Sequence, residues 1–226
     1  MQERINTFVL AVLAGVFIAL GGLLFLVAKS WIPGEWGQFV GALLFPVGLI
    51  TICFLGFNLY TGKIGLVFRK NTNKTKISTV EWLLWILLGN AAGAFLLGIS
   101  IYPETLRDTA FSSTVIATGK ARETIDPTTL FVKSILCGAL VYLAVFFFKE
   151  SQSVFGKVCG IIVPISFFVF AGHQHCVANM FYMAASGCWS TASLVSLLLC
   201  ICGNSFGALL IDSLAPKENY LGGITW

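Results

Sequence analysis

The sequence predicts an all-α membrane protein: six transmembrane helices in two inverted three-helix repeats, with the second and fifth helices broken. Three observations carry this. First, 57% of the 226 residues are hydrophobic and only 11% are charged, whereas a soluble domain usually carries about 25% charged residues. Second, Phe8–Ala28 is a run of 21 residues without a charge, long enough to cross a hydrocarbon layer of roughly 30 Å at about 1.5 Å per residue. Third, the string Gly89-Asn-Ala-Ala-Gly93-Ala recurs as Gly203-Asn-Ser-Phe-Gly207-Ala, 114 residues later.

Spans are expected at about 6–28, 37–62, 79–102, 130–148, 155–188 and 189–213. The first is too long for a cleaved signal peptide and lacks a polar stop after a small-residue cleavage site. The second and fifth sit in apolar stretches that exceed the bilayer: as straight helices, 37–68 and 158–188 would reach about 48 and 46 Å. Each contains a polar interruption, Gly56-Phe-Asn58-Leu-Tyr60-Thr61-Gly62 in one and Gly172-His-Gln-His175-Cys-Val-Ala-Asn179 in the other. Unpaired backbone at that depth is tolerated only inside protein or beside a water-filled cavity, so both read as broken helices. Gly56 and Gly172 are 116 residues apart, Pro46 and Pro164 precede the two breaks, and Ala14-Gly15 roughly matches Cys137-Gly138. The whole chain, 1–226, therefore reads as one transmembrane domain with repeat one at about 6–102 and repeat two at about 130–213. Three spans per half make the halves face opposite ways, and inverted repeats with broken helices near mid-membrane mark a transport pathway. The glycines of the repeated string themselves read as close helix packing.

Between spans two and three lie Lys63, Arg69, Lys70, Lys74 and Lys76 with no acid, and between four and five lie Lys149 and Lys157. The positive-inside rule places these loops, and with six spans both termini, in the cytoplasm. The segment between spans three and four is expected to be a long outer loop, with three basic and four acidic residues within Glu104–Asp126. A net charge of +4, mostly in one loop, does not suggest nucleic acid as a partner. The seven cysteines form no CxxC pair and read as small buried hydrophobes. Neither a cofactor nor a metal site is expected.

His173 and His175 are the two histidines of the chain, and both fall in the second break. An ionisable group inside a membrane is a functional hypothesis by default. At i and i+2 the two diverge on a helix, and no carboxylate lies nearby, which argues against a metal. His175 could satisfy broken-helix carbonyls, or serve as a filter that donates a hydrogen bond to an anion or passes it a proton near neutral pH; for His173 the purely structural role is favoured. Helices restarting near Thr61 and Val177 would aim positive dipole ends at the pathway centre. Phe45 and Leu49 share a helix face at i, i+4, as do Phe168 and His175 at i, i+7, and apolar rings on the path would exclude hydrated ions.

These residues resemble the formate/nitrite transporter family. The similarity lies in Ala14-Gly-Val-Phe-Ile-Ala-Leu-Gly21, Leu59-Tyr-Thr61, Ile116-Ala-Thr-Gly-Lys120, Ile135-Leu-Cys-Gly-Ala-Leu-Val141, Gly172-His-Gln-His175-Cys-Val-Ala-Asn179-Met and both Gly-Asn strings, from about residue 8 to 212. The resemblance implies an aquaporin-like fold assembled as a homopentamer in the cell inner membrane, with one pore per subunit. It implies passage of small monovalent weak-acid anions such as formate, nitrite, hydrosulfide or lactate, often coupled to protons. By position, His175 would be the central histidine, Thr61 its partner, Asn179 part of the same signature, and Lys120 the anion-attracting lysine, unless Arg122 takes that place. Phe45, Leu49, Leu59 and Phe168 fall at constriction positions. Four positions depart from the family: Gly138 stands for an Asn beside the central histidine, Asn58 for an acid, Gln174 for a Glu and His173 for a Phe. Losing the amide would alter the hydrogen bonding of His175, and losing two acids while gaining a histidine makes the pore surroundings less negative.

Two other classes remain to be separated from this one. A neutral-solute channel of aquaporin type shares the repeat logic, but neither break holds an Asn-Pro-Ala string. An enzyme built on the histidines or a cysteine lacks an acid in a span close to either histidine; the expectation is that the chain is not an enzyme.

Overall fold

The computed structural model describes residues 2–65 and 78–214. Arg69, Lys70, Lys74 and Lys76, which contribute to the expected orientation, lie outside the described residues. Ten helices run through the described residues: α1 (Gln2–Trp31), α2 (Glu35–Leu44), α3 (Pro46–Leu55), α4 (Tyr60–Lys63), α5 (Thr79–Thr105), α6 (Ala110–Thr124), α7 (Pro127–Glu150), α8 (Val154–Phe170), α9 (Cys176–Ser186) and α10 (Thr191–Leu214). Five segments are long and apolar enough to cross a membrane: α1, the nearly continuous α2–α3 stretch, α5, α7 and α10. α8, with 17 residues, falls short alone and resumes past its break as α9.

Local sequence explains the ends. Ser78 caps α5 by accepting from the Glu81 amide. Asp126 caps α7 by accepting from the Thr129 amide at 2.8 Å, with Pro127 at the first turn, where its missing N–H costs nothing. α6 is the departure from the expected outer loop. Thr109 and Ser112 form a reciprocal capping box that starts it, and Ser112, Val115, Thr118 and Gly119 turn inward. It is too polar to register in hydropathy, yet it packs under α9 and against α1.

α1 packs along α5, and α7 along α10. A Cβ on Gly15 would stand 2.2 Å from the Asn90 carbonyl oxygen, and one on Gly138 2.0 Å from that of Asn204, so both crossings demand glycine. α9 is buried on every side and forms the centre around which the longer helices stand. Outward faces carry apolar residues, among them Leu96, Ile99, Val163 and Leu198. In water such faces would be a liability; against hydrocarbon they are at home. Trp31 and Trp36 stand exposed at the α1–α2 turn, suited to a membrane–water interface.

Candidate functional site

The two breaks are built alike. Gly56 and Gly172 adopt φ of 71° and 69°, a left-handed backbone that a side chain resists. Leu59 and His175 then turn extended and become the N-caps of α4 and α9. Each interrupted backbone is held by one buried amide from the repeated Gly-Asn strings. Asn90 accepts from the Tyr60 N–H and donates to the carbonyls of Ala11 and Asn58, all at 2.8 Å. Asn204 accepts from the Cys176 N–H and donates to the carbonyls of Ser134 and Gln174, again all at 2.8 Å. In both strings the glycines serve close packing, as the sequence suggests, and the asparagine holds the restarting helix.

These braces bring the breaks together. The His175 ring lies 3.0 Å from the Thr61 hydroxyl through Nε2, and its Nδ1 accepts from the Ala178 N–H at 3.3 Å. An accepting Nδ1 puts the proton on Nε2, so the imidazole donates to Thr61 Oγ1 and leaves the Thr61 proton free to point elsewhere. The Phe168 ring stacks on His175 with centroids 6.0 Å apart, and Phe45 meets Phe168 edge-on at 5.8 Å. Phe45, Phe168 and His175 close one end of a cavity of about 430 Å³. Leu49 and Leu59 line a smaller one of about 110 Å³ on the other side, which also receives Lys63 and Lys149. Of the residues expected to form a constriction, Phe45 and Phe168 thus line the larger cavity and Leu49 and Leu59 the smaller, and all four are buried.

Lys120 is not at the larger vestibule. It is exposed on α6, whereas Arg122 lines the cavity. Two residues apart on a helix is about 200° around the axis, so only one of the pair can face inward. The Arg122 Nε donates to Asn179 Oδ1 at 3.2 Å, an η nitrogen donates to the Thr118 carbonyl, and the guanidinium lies 4.5 Å over the Tyr182 ring. Burial lowers its pKa from the usual arginine value, but a guanidinium stays charged. Asn179 passes the contact inward by donating to Gln174 Oε1 at 3.1 Å. Tyr182, Lys29 and Gln38 were not singled out by sequence. All three line this cavity, and they come from elements distant in the chain.

The four departures resolve as follows. Gly138 does not leave a gap beside His175; it is filled by the backbone of α10, and the Ala178 amide serves the Nδ1 instead. Asn58 is buried, with a long bond of 3.4 Å to the Thr7 carbonyl. Gln174 joins Asn179 and donates to the Gly172 carbonyl. His173 faces the larger cavity. No group of three or more His, Cys, Asp or Glu able to hold a metal occurs among the described residues.

The profile of the family described as Formate/nitrite transporter matches residues 2–216. The chain is 34% identical over 185 residues to the formate channel BtFdhC of Bacillus thuringiensis, covering 78% of this chain and 71% of that protein. It is 32% identical over 185 residues to the uncharacterized transporter YrhG of Bacillus subtilis (strain 168), covering 79% and 70%. Among solved structures, a pentameric formate channel with formate bound aligns with a TM-score of 0.83 at 22% identity, over 94% of this chain and 96% of that one.

Proposed function

We propose that this chain, which belongs to the formate/nitrite transporter family, passes small monovalent weak-acid anions across a membrane, formate first among them, with nitrite and hydrosulfide as further candidates. The observation that carries this is the His175–Thr61 bond between the two breaks, at the meeting point of two vestibules. The formate channel among its relatives supports the choice of substrate.

Arg122 concentrates the anion at the outer mouth, with Asn179 and Tyr182 holding the guanidinium in place. The Phe45–Phe168 pair and then Leu49 and Leu59 force the anion to shed water. At that point the restarting helices supply positive dipole ends. His175 and Thr61 supply hydrogen bonds without a fixed charge that would trap the anion, and His175 is the group through which a proton can join it.

The same reading takes 1–226 as one channel domain of six spans, α2–α4 forming the broken second and α8–α9 the broken fifth, in two inverted halves. The matching roles of Asn90 and Asn204 support that symmetry. It takes the assembly as a homopentamer in the inner membrane with both termini in the cytoplasm; the pentameric formate channel of similar fold supports the number. The test is uptake into proteoliposomes of formate, nitrite, hydrosulfide, acetate, lactate and chloride, each at two pH values, with water and glycerol as neutral controls. Protein-dependent flux of weak-acid anions and not of chloride or glycerol is expected. Flux of glycerol alone would replace this reading with that of a neutral-solute channel.

A further inference from the structure

The two histidines differ in what their rings already hold. Both nitrogens of His175 are engaged, one by Thr61 and one by the Ala178 amide. The His173 ring makes no hydrogen bond: its Nδ1 is enclosed and without a partner, and the ring rests edge-on against Phe167 at 6.0 Å. A buried polar nitrogen left unpaired costs on the order of 1–3 kcal/mol, which a structural histidine would not incur. His173 lines the larger vestibule with Arg122 from α6 and Lys29 from α1, and no acid lines that cavity among the described residues.

The neighbouring charges are cationic on three sides. Lys133 on α7 places its Nζ 3.8 Å from where a Cβ on Gly172 would stand, and Arg122 and Lys29 share the cavity wall. From α2, Gln38 faces the same space with its amide donated to the Phe170 carbonyl, and Glu35 is the acid that acts on Lys29. At about 30 Å³ per liquid water, a cavity of about 430 Å³ holds a small anion together with part of its hydration shell.

We propose that His173, with Arg122 and Lys29, forms an anion-docking site in the outer vestibule, where a weak-acid anion is held before it meets His175. The site rests on the transport reading above and adds a station to it. A ring with no internal bond can turn an N–H to the anion, and the neutral imidazole donates while Arg122 and Lys29 supply the charge.

The test is equilibrium binding of formate to the purified full-length protein at about pH 5.5 and about pH 8, followed by saturation-transfer NMR, alongside formate flux in proteoliposomes. His173→Phe is expected to weaken binding about tenfold at both pH values. His173→Gln, which keeps a donor, is expected to restore part of the affinity. Unchanged melting temperatures establish that the variants fold. Wild-type affinity in His173→Phe at both pH values overturns the site and leaves transport standing. Absent wild-type flux with binding still lost in His173→Phe overturns the transport reading and keeps the site. No formate binding by the wild type overturns both.

Discussion

Replacing Asn204 with alanine removes the brace of the second break. Asn204 is fully buried, and its side chain makes three hydrogen bonds of 2.8 Å. Truncation orphans the Cys176 N–H, at a cost of about 1–3 kcal/mol, and takes one donor each from the carbonyls of Ser134 and Gln174, at about 1 kcal/mol apiece. The carbonyl losses fall at the low end, since Gln174 O also accepts from the Cys200 thiol. The sum is about 3–5 kcal/mol, which for a chain of this size corresponds to a fall in melting temperature on the order of 10 °C. Asn90→Ala removes the same three kinds of bond at the first break and should fall by a similar amount. Thermal unfolding of purified protein in detergent, followed by tryptophan fluorescence, reads the effect. Leu198→Ala, at a position 62% exposed on the outer face, serves as the control. Asn204→Ala within about 2 °C of that control would refute the bracing argument, and so would a large loss at Asn204 with none at Asn90.

Thr61→Val keeps the shape of the side chain but not the acceptor for His175 Nε2, and flux should fall severalfold while Thr61→Ser stays near wild type; equal flux in both variants counts against the pair. Arg122→Gln should raise the half-saturating outside formate concentration about tenfold, with Lys120→Gln within about twofold, in uptake measured at low salt, since one faces the vestibule and the other does not. Hydrogen bonds from Thr129 and Thr128 hold the exposed Asp126 carboxyl below its usual pKa. Its cap on α7 therefore contributes stability that is present above the unfolded value of about 3.9 and lost as pH falls through the lower folded one. Asp126→Ala should lower the melting temperature at pH 7 and make no difference once the cap is protonated, a difference that persists at strongly acidic pH being the contrary result.

The broken helices were legible because bilayer thickness limits how long an apolar stretch can run. Two stretches exceed that limit, and each carries a glycine at its polar interruption, Gly56 and Gly172, where the backbone turns left-handed. The pairing of Thr61 with His175 came from the family resemblance alone, since the residue that corresponds to His175 in the first break is Leu59, the N-cap of α4. What periodicity does not encode is the partner of a side chain far along the chain. The recurrence of Asn90 and Asn204 is visible, but their bonds to Tyr60 and Cys176 depend on helices crossing in space. The same holds for Gly138, whose missing side chain reads as a loss beside His175 until the backbone of α10 is seen to occupy the place. Lys120 and Arg122 could be told apart only once 110–124 was known to be a helix. The Thr109–Ser112 capping box is the signal in the sequence that marks its start.

The central claim is that His175, joined to Thr61 between two vestibules, governs the passage of a weak-acid anion. Formate flux in proteoliposomes bearing wild type or His175→Ala, measured across about pH 5.5 to 8, tests it most directly. Wild-type flux that rises as pH falls, with His175→Ala folded but silent or indifferent to pH, is the predicted result. A His175→Ala profile that overlays the wild type at every pH would contradict it.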